Sequence, residues 1–288
     1  MSAPVVLRLA AFAAGPGGGN PAGVVVVDAL PTVDEMQAMA AEVGYSETAF
    51  LAPDPSAGDP SRAWTVRYFS PEAEVPFCGH ATIASAVALG RRHGAGTYEL
   101  HTAAGLVPVE VALGSAGEAT AAFTSVATAR RILEPDLLAT CLDAFGWTAA
   151  DLDPTLPPDL AFAGAWHVVL PLRSRTLLAE MTYDFAALRT ALEDAGLITA
   201  QVVWRERPDR FHARDPFPVG GVVEDPATGA AAAALGGYLR HHGLIEPPTD
   251  LTVVQGVDMG RPSTIGVHVP VAGGVRVSGT AIDITDTA

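Results

Sequence analysis

The sequence predicts an α+β fold made of two similar halves, and two observations lead to this prediction. Short alternating strands outnumber helices along the 288 residues, without the regular strand–helix alternation of a wound parallel sheet. A turn followed by a small-residue helix also occurs twice, at residues 77–94 and 223–243, and each copy closes with arginine, histidine and glycine. Two such copies predict two related halves that face one shared site.

The first half is predicted to hold strands on either side of two helices. Segment Val33–Val43 has the apolar spacing of a helix, and Thr32 with Glu35 forms the capping box that begins one. The helix of the first repeated unit is Gly79–Arg92, after a loop at Ser70–Phe77. Apolar alternation predicts the strands, which are Val5–Phe12, Val24–Val27 (after a loop at Gly15–Gly23), Ser46–Leu51, Trp64–Phe69, Thr97–Thr102 and Gly105–Leu113.

The second half repeats this alternation after a turn at residues 114–118, which predicts halves at residues 1–117 and 118–288. In its repeated unit, Asp225 is expected to be the N-cap of a helix that has Pro226 in its first turn. The predicted helices are Pro135–Phe145, Phe185–Ala195 and Pro226–His242. The predicted strands are Ala121–Ser125, Trp166–Leu172, Ile198–Arg205, Phe211–Arg214, a segment at Val253, Thr264–Val269 and Gly274–Ile284.

Composition and charge exclude several classes of function. The net charge of −15 argues against nucleic acid or an anionic membrane surface as a partner, and the apolar runs are too short to span a membrane. All 17 basic residues are arginine, which excludes pyridoxal-phosphate enzymes, Schiff-base aldolases and P-loop NTPases, because each needs a lysine. The two cysteines make no disulfide framework, and the apolar start lacks a cationic leader. We therefore expect a cytoplasmic protein that begins with a strand.

Four reactive side chains are candidates for a site, and each also has a structural interpretation. Glu47 in a strand would usually lie on the solvent face, and Cys78 would be an inert buried thiol. His80 would be a satisfied histidine at a helix end, and Asp225 an N-cap. The segment Arg205–Arg214 is interpreted as a solvated hairpin. No spacing of His, Cys, Asp and Glu resembles a zinc or iron site, so no metal is predicted.

Six motifs in a fixed order point beyond these interpretations. They are residues 19–25 (GNPAGVV), 46–50 (SETAF), 67–74 (RYFSPEAE), 78–82 (CGHAT), 224–229 (EDPATG) and 255–263 (QGVDMGRPS). The series resembles the PhzF-like phenazine-biosynthesis family, in the diaminopimelate epimerase fold superfamily. The resemblance extends over residues 5–285, and it is specific for the family but much less so for the substrate.

The resemblance implies two pseudo-symmetric halves, each a curved sheet around a central helix, with the active site in the cleft between them. It implies a homodimer with neither a metal nor an organic cofactor. It also implies an isomerase that shifts a proton between carbons of a small carboxylate-bearing substrate. In the family's characterised member, that substrate is trans-2,3-dihydro-3-hydroxyanthranilate.

The resemblance further implies a role for each matching residue. Glu47 would be the acid/base carboxylate, His80 and Asp225 would hold the substrate and tune protonation, and the backbone at Gly79 would contribute donors. The implied substrate-binding residues are Asn20, Cys78, Gly79, His80, Asp225, Thr228, Gly229 and Ala230. The chemistry is consistent, because a carboxyl in a closed cleft can both give and take a proton and helix N-termini hold carboxylates.

Two departures from the related patterns bear on the substrate. Ala230 stands where many relatives have serine, which removes a hydroxyl for the ligand and argues against the phenazine precursor itself. Cys78 matches the first thiol of the racemase and epimerase branches, but Pro226 holds the position of the second. Since Cys141 lies in a different predicted helix, we do not expect two-thiol stereoinversion.

Two functions of other classes stay open. One is a thiol hydrolase in which His80 activates Cys78, and it is disfavoured because residues two apart at a helix start rarely form a nucleophile–base pair. The other is a small-molecule-binding protein without turnover. Glu47, His80 and Asp225 argue against it, while Ala230 keeps it open.

Overall fold

The computed structural model describes residues 4–54, 56, 59–115 and 117–285. The chain forms two compact units, Met1–Thr124 with Ser278–Ala288 and Ser125–Val277. Both units combine strands and helices, so the predicted α+β class is confirmed. A boundary between residues 117 and 118 stays a prediction. Within the described ranges, no helix is both long and apolar enough to cross a membrane.

The elements run in chain order from the first unit into the second. The first ten are β1 (Val6–Ala11), β2 (Asn20–Val26), α1 (Val33–Val43), β3 (Glu47–Pro53), β4 (Ala63–Phe69), β5 (Glu74–Val75), α2 (Gly79–His93), β6 (Gly96–Thr102), β7 (Gly105–Leu113) and β8 (Ala119–Thr124). They are followed by β9 (Ala129–Arg131), α3 (Pro135–Phe145), β10 (Asp159–Phe162), β11 (Trp166–Pro171), α4 (Arg175–Ala179), α5 (Phe185–Ala195), β12 (Thr199–Arg207) and β13 (Arg210–Phe217). The last are β14 (Val222–Asp225), α6 (Gly229–His241), β15 (Thr249–Gln255), β16 (Ser263–Val269) and β17 (Arg276–Asp283).

The strands of the first unit surround helix α2. Strands β1 and β2 pair antiparallel, β2 and β3 parallel, β3 and β4 antiparallel, and β4 and β6 parallel, before β7 and β8 continue antiparallel. Strand β17 pairs with both β1 and β8 and so closes the order. Residues 80–90 of α2 are all buried. Gly90 permits this close packing, because a Cβ there would lie 2.4 Å from Cγ1 of Val111 on β7.

The second unit repeats the same series of pairings. Strands β10 and β11 pair antiparallel, β11 and β12 parallel, β12 and β13 antiparallel, β13 and β15 parallel, and β15 and β16 antiparallel. Helix α6 is buried along residues 231–239 and packs against β9, β10, β11 and β16. A second apolar core lies where α3 packs on α5. Each unit is therefore a sheet around one central helix, as the sequence predicts.

The segment leading into the central helix is also shared. Val75 ends β5 and Asp225 ends β14, and each lies three residues before the N-cap position of α2 or α6. Val75 pairs with Tyr68 on β4, and Asp225 pairs with Asp215 on β13. Tyr68 and Asp215 consequently occupy equivalent positions in the two units.

Three helices have the predicted bounds, as does strand β7 (Gly105–Leu113), whereas some bounds set by strand pairing differ from prediction. Helices α1, α3 and α5 have the predicted bounds, and the capping box is present, with the Glu35 N–H donating to Thr32 Oγ1 at 3.3 Å. Helix α6 begins at Gly229, because residues 222–225 pair with β13 instead of starting the helix. The prediction that Asp225 is the N-cap of this helix is therefore wrong, because Thr228 holds the N-cap position. Strand β2 begins at Asn20, since its first residues pair with β1.

Candidate functional site

Three predicted site residues of the first unit converge at the N-terminus of α2. Glu47 is the first residue of β3, Cys78 holds the N-cap position of α2, and His80 lies in the first turn of that helix. The Nε2 atom of His80 lies 3.4 Å from Glu47 Oε2, and its Nδ1 atom lies 3.4 Å from Cys78 Sγ. Ser46 Oγ lies 3.3 Å from His80 Nε2. The imidazole therefore bridges a thiol and a carboxylate.

The contact between Cys78 and His80 corrects an expectation from the sequence. Two residues so close at a helix start were expected not to orient toward each other. Cys78 has extended backbone, with φ −142° and ψ 116°, whereas His80 has already entered the helix. This change of backbone direction brings the thiol to the ring, so that a nucleophile–base pair is present in geometry.

The solvent-face interpretation of Glu47 is also wrong. Its side chain is 17% exposed, and that of His80 is 7% exposed. Glu47 pairs with Ala22 at the end of the parallel ladder between β2 and β3, which directs its carboxylate toward α2. A carboxylate at this depth is partly removed from water yet still open to a ligand.

Buried hydroxyls anchor the first turn of α2. The Tyr68 hydroxyl lies 2.7 Å from Thr82 Oγ1, and that hydroxyl donates to the Cys78 carbonyl at 2.7 Å. Burial raises the pKa of Tyr68, so the phenol stays protonated. Cys78 makes no side-chain cap bond to the helix, and the first backbone N–H groups of α2, at Gly79 and His80, have no partner within the helix. Asn20, the first residue of β2, is buried with 1% exposure.

The predicted residues of the second unit form a different network. Asp225 Oδ2 accepts a hydrogen bond from Thr228 Oγ1 at 2.6 Å. Gln255 donates from Nε2 to the Asp225 carbonyl at 2.7 Å and to Thr228 Oγ1 at 3.1 Å, and its Oε1 accepts from the Thr228 N–H at 3.2 Å. Gly229 is buried and Ala230 half-buried, as the first two residues of α6. The side chain of Gln255 thus holds the Asp225 turn in place.

Gln255 and Asp215 are two residues to which sequence reasoning gave no role. Gln255 stood inside a recognised motif, so its place in the series was the available signal. Asp215 is 0% exposed and pairs with Asp225 across β13 and β14. The pKa of Asp215 is raised to about 8, chiefly by burial; the hydroxyls of Thr228 and Thr199 oppose this shift, and the carboxylates of Asp225 and Glu224 add to it.

The predicted solvated hairpin is present between β12 and β13, with residues 206–209 exposed, but Arg214 at its far end lies in a largely buried ion pair. The side chain of Arg214 is 13% exposed and that of Glu224 is 4% exposed, and Arg214 Nε lies 3.0 Å from Glu224 Oε1. Arg214 Nη1 also donates to the carbonyls of Leu178, Ala179 and Met181. The first unit has a more exposed counterpart in the Arg67–Glu74 pair, with 29% and 33% exposure. Arg214 is therefore a structural cation.

Glu47, Cys78 and His80 also form a possible set of metal ligands. In the described part of the chain, one ligand atom from each of them lies within 4.8 Å of the other two. An oxygen, a sulfur and a nitrogen are donors that Zn²⁺ accepts. The spacing in the sequence did not reveal this group, because Glu47 lies far from Cys78 in the chain.

Comparisons with known proteins agree with the topology of both units. A family model described as phenazine biosynthesis-like protein matches residues 9–287. The uncharacterized isomerase YfhB of Bacillus subtilis is 33% identical over 293 residues, which cover 96% of this chain and 95% of that relative. The trans-2,3-dihydro-3-hydroxyanthranilate isomerase of Pseudomonas chlororaphis is 32% identical over 253 residues, with 88% and 86% covered. A crystal structure of a PhzF-family phenazine biosynthesis protein from Bacillus anthracis aligns with a TM-score of 0.85 at 25% identity, with 99% and 98% covered.

Proposed function

Because this chain belongs to the phenazine biosynthesis-like protein family, we propose that it is a cofactor-independent isomerase that moves a proton between two carbons of a small carboxylate-bearing molecule. The observation that supports this most is the contact between Glu47 and His80, with 3.4 Å between Oε2 and Nε2. It places the partly buried carboxylate of Glu47 beside the imidazole of His80, which can be neutral or positively charged. The relatives that carry an isomerase name support the class of reaction.

Glu47 is the group that transfers the proton. As a carboxylate it takes a proton from one ligand carbon, and the C–H electron pair passes into the adjoining unsaturated system. As a carboxylic acid it then returns the proton to a different carbon. Glu47 ends in its starting state, so the shift needs no oxidant or reductant.

His80 controls the charge of Glu47. A ring that accepts the Cys78 S–H at Nδ1 carries its own proton on Nε2, which lies 3.4 Å from Glu47 Oε2 and 3.3 Å from Ser46 Oγ. A donor at this place stabilises the ionised form of Glu47 before the transfer. Its interaction with Glu47 weakens once Glu47 has taken up the proton. The role of Cys78 in this chain of contacts is to fix the tautomer of His80.

The remaining predicted residues hold the ligand. The backbone N–H groups of Gly79 and His80 at the start of α2 suit a ligand carboxylate, because a helix N-terminus attracts negative charge. Asp225 accepts a ligand N–H or O–H, with its carboxylate oriented by the Thr228 hydroxyl and its backbone carbonyl held by Gln255. That the two groups act on the same ligand is part of what we propose.

The substrate class we propose is a small cyclic or amino carboxylic acid similar to trans-2,3-dihydro-3-hydroxyanthranilate. That compound is named for the relative from Pseudomonas chlororaphis. Ala230, the second residue of α6, lacks the hydroxyl that many relatives have there. An Ala230→Ser variant should therefore gain activity on the phenazine precursor only if the natural substrate resembles it. The test is to measure the rates of the wild type and the Ala230→Ser variant on the phenazine precursor and on the best acid of a panel.

A second candidate function, a thiol hydrolase, is favoured by one observation. Cys78 Sγ lies 3.4 Å from His80 Nδ1, which is the geometry of an activated thiol. Cys78 is 8% exposed, however, which leaves little access for an acyl substrate. We rank it below the isomerase for that reason.

Deuterium incorporation tests the proposed function. The wild-type protein is incubated in heavy water with a panel of small cyclic and amino carboxylic acids, and incorporation at ligand carbons is followed by mass spectrometry. An isomerase incorporates deuterium from its acid/base group, and Cys78→Ala keeps at least a tenth of the rate. A protein that binds an acid without any incorporation is a binding protein. Hydrolysis of an ester or amide panel that disappears in Cys78→Ala would instead establish the hydrolase.

We also propose that the protein works as a homodimer in the cytoplasm, without nucleic acid or membrane as a partner. The resemblance to the family supports the dimer, and the charge of −15 supports the absence of polyanionic partners. Sedimentation equilibrium over a range of concentrations measures the dimer. A monomer at all concentrations would contradict it.

A further inference from the structure

A row of buried polar side chains crosses the sheet of the second unit below the start of α6. His167 and Thr199 are each 1% exposed, and Gln201 and Asp215 are each 0% exposed. His167 Nδ1 lies 2.7 Å from Thr199 Oγ1. The polar atoms of this row without a hydrogen-bond partner are His167 Nε2, Gln201 Nε2 and Oε1, and Asp215 Oδ1 and Oδ2. Buried polar atoms without hydrogen bonds lower the stability of the folded protein, and a group of them in one place is unusual.

The strand register shows that these side chains share one face. His167 pairs with Thr199 on the parallel ladder between β11 and β12. Val202 pairs with Arg214, so the next pair of the antiparallel ladder is Gln201 with Asp215. Since alternate residues of a strand face the same side, Thr199, Gln201 and Asp215 lie together.

Asp215 connects this row to the predicted ligand-holding group. It pairs with Asp225 across β13 and β14, and Asp225 Oδ2 accepts the hydroxyl of Thr228 at 2.6 Å. The hydroxyls of Thr228 and Thr199 are near enough to Asp215 to lower its pKa, although neither forms a hydrogen bond of good geometry with it. Thr228 therefore lies between the two carboxyl groups.

The first unit shows that the fold itself does not require an acid here. Tyr68 holds the equivalent position, and its hydroxyl is satisfied by Thr82 at 2.7 Å. An uncharged side chain is thus sufficient for the packing of a unit of this topology. The acid at Asp215 brings a burial cost that the first unit avoids.

The charges around Asp215 permit one negative charge, not two. The ionisable groups that act on it are Asp225 and Glu224, both from β14, and Glu224 is neutralised by Arg214. Burial lowers the pKa of His167 to about 4, so the ring in the same row is neutral. Arg214, the cation among these groups, is already paired with Glu224, so ionising the buried carboxyl next to Asp225 is unfavourable.

We propose that Asp215 is a positioning residue that keeps its proton while Asp225 is ionised, and that it donates this proton to Thr228. The Thr228 hydroxyl donates to Asp225 and accepts from Gln255 Nε2, so its second lone pair is available to accept from Asp215. The chain Asp215 O–H to Thr228 O–H to Asp225 carboxylate fixes the direction of the ligand-holding group. The inference rests on the proposed function in giving Asp225 that role, but its test needs no turnover.

Carbon NMR of protein labelled at the aspartate carboxyl groups tests this directly. In the wild type, Asp215 should show the shift of a protonated carboxyl at pH 7 and titrate only in the alkaline range. Asp225 should titrate in two steps, with its second step at the pH where Asp215 ionises. Asp215→Asn and Asp225→Asn assign the two signals, and Asp209→Asn, at a side chain 58% exposed on the same hairpin, is the matched control.

The variants separate positioning from mere burial. Asp215→Asn should remove the second step of Asp225, whereas Thr228→Val should leave Asp215 protonated at pH 7 and weaken its effect on Asp225 by at least half. A wild-type Asp215 that is ionised at pH 7, or an Asp225 that titrates in one step, would overturn the inference. Both results come from the unmodified protein, so a variant that fails to fold leaves the test intact.

Discussion

The N-termini of the two central helices are alike in backbone and opposite in chemistry. At α2, the imidazole of His80 lies 3.4 Å from both the Cys78 thiol and the Glu47 carboxylate, and Ser46 Oγ lies 3.3 Å from the same ring. At α6, Asp225 is held by Thr228 and the turn around it by Gln255. The repeat supplies two equal scaffolds, and in the function proposed above the side chains placed on them divide the work into proton transfer and ligand holding.

The position behind each helix makes the same point. Tyr68 in the first unit is a buried phenol with a satisfied hydroxyl, whereas Asp215 in the second is a buried acid with no hydrogen-bond partner of its own. A repeated fold lets each copy serve as the reference for the other. Differences at equivalent positions mark function more sharply than either copy would alone.

The largest effect is expected at Glu47. Glu47→Gln keeps the shape of the side chain but removes the group that accepts a proton, so turnover should fall by about 10²–10⁴-fold. Ligand affinity, measured by calorimetry, should stay within a few-fold of the wild type. Ser46→Ala, which removes a neighbouring hydroxyl of His80, is the control and should cost far less. Full activity in Glu47→Gln would assign the proton transfer elsewhere.

A smaller effect is expected at Asp225. Asp225→Asn removes a charged acceptor for the ligand, and such hydrogen bonds contribute roughly 1.5–3 kcal/mol, or about 10–150-fold in affinity. The Asn side chain can still meet Thr228, so the unit should fold. Calorimetric titration with the best acid of the panel measures the loss. Unchanged affinity would remove Asp225 from the ligand site.

The effect of Asp215 should be visible in stability. Its folded pKa of about 8 lies above the ordinary value of 3.8, so the folded state holds a proton that the unfolded state has lost. Stability from this group is complete below about pH 4 and declines as the pH rises toward 8, by about 1.4 kcal/mol per unit. Urea unfolding at several pH values should show a shallower decline for Asp215→Asn. Parallel curves for the variant and the wild type would contradict a protonated Asp215.

The smallest effect is expected at Tyr68. Tyr68→Phe removes its hydrogen bond to Thr82 but keeps the ring, so it should lower the free energy of unfolding by about 0.5–1.5 kcal/mol. Thr82 still bonds to the Cys78 carbonyl, and proton transfer should be nearly unchanged. Urea unfolding and the deuterium assay measure the two quantities. A large loss of exchange would show that the first unit also depends on its buried hydroxyl.

The sequence predicted those parts of the fold that depend on neighbouring residues. Helix α1 has its predicted bounds because Thr32 and Glu35 cap it locally. Asp225 and Pro226 look like a helix start in sequence, but pairing between β13 and β14 extends the strand through Asp225. Such pairing joins distant segments, and a local pattern does not contain it.

The sequence predicted the site residues that lie in recognised motifs. It did not predict residues such as Asp215, whose importance depends on their burial in the folded protein. Glu47 and His80 were expected from the resemblance, and the structure adds their contact. Asp215 in sequence is one acid in an arginine-rich strand, with no sign that it faces the interior. Only the three-dimensional register shows that it lies opposite Asp225.

The division of work between the two helix ends is tested most directly by deuterium exchange in the Asp225→Asn variant at saturating ligand. If Asp225 only holds the ligand and Glu47 transfers the proton, saturation should restore exchange to within about tenfold of the wild-type rate, while Glu47→Gln stays about 10²–10⁴-fold below it at any ligand concentration. Exchange that remains lost in Asp225→Asn at saturation, or that persists in Glu47→Gln, would contradict this division.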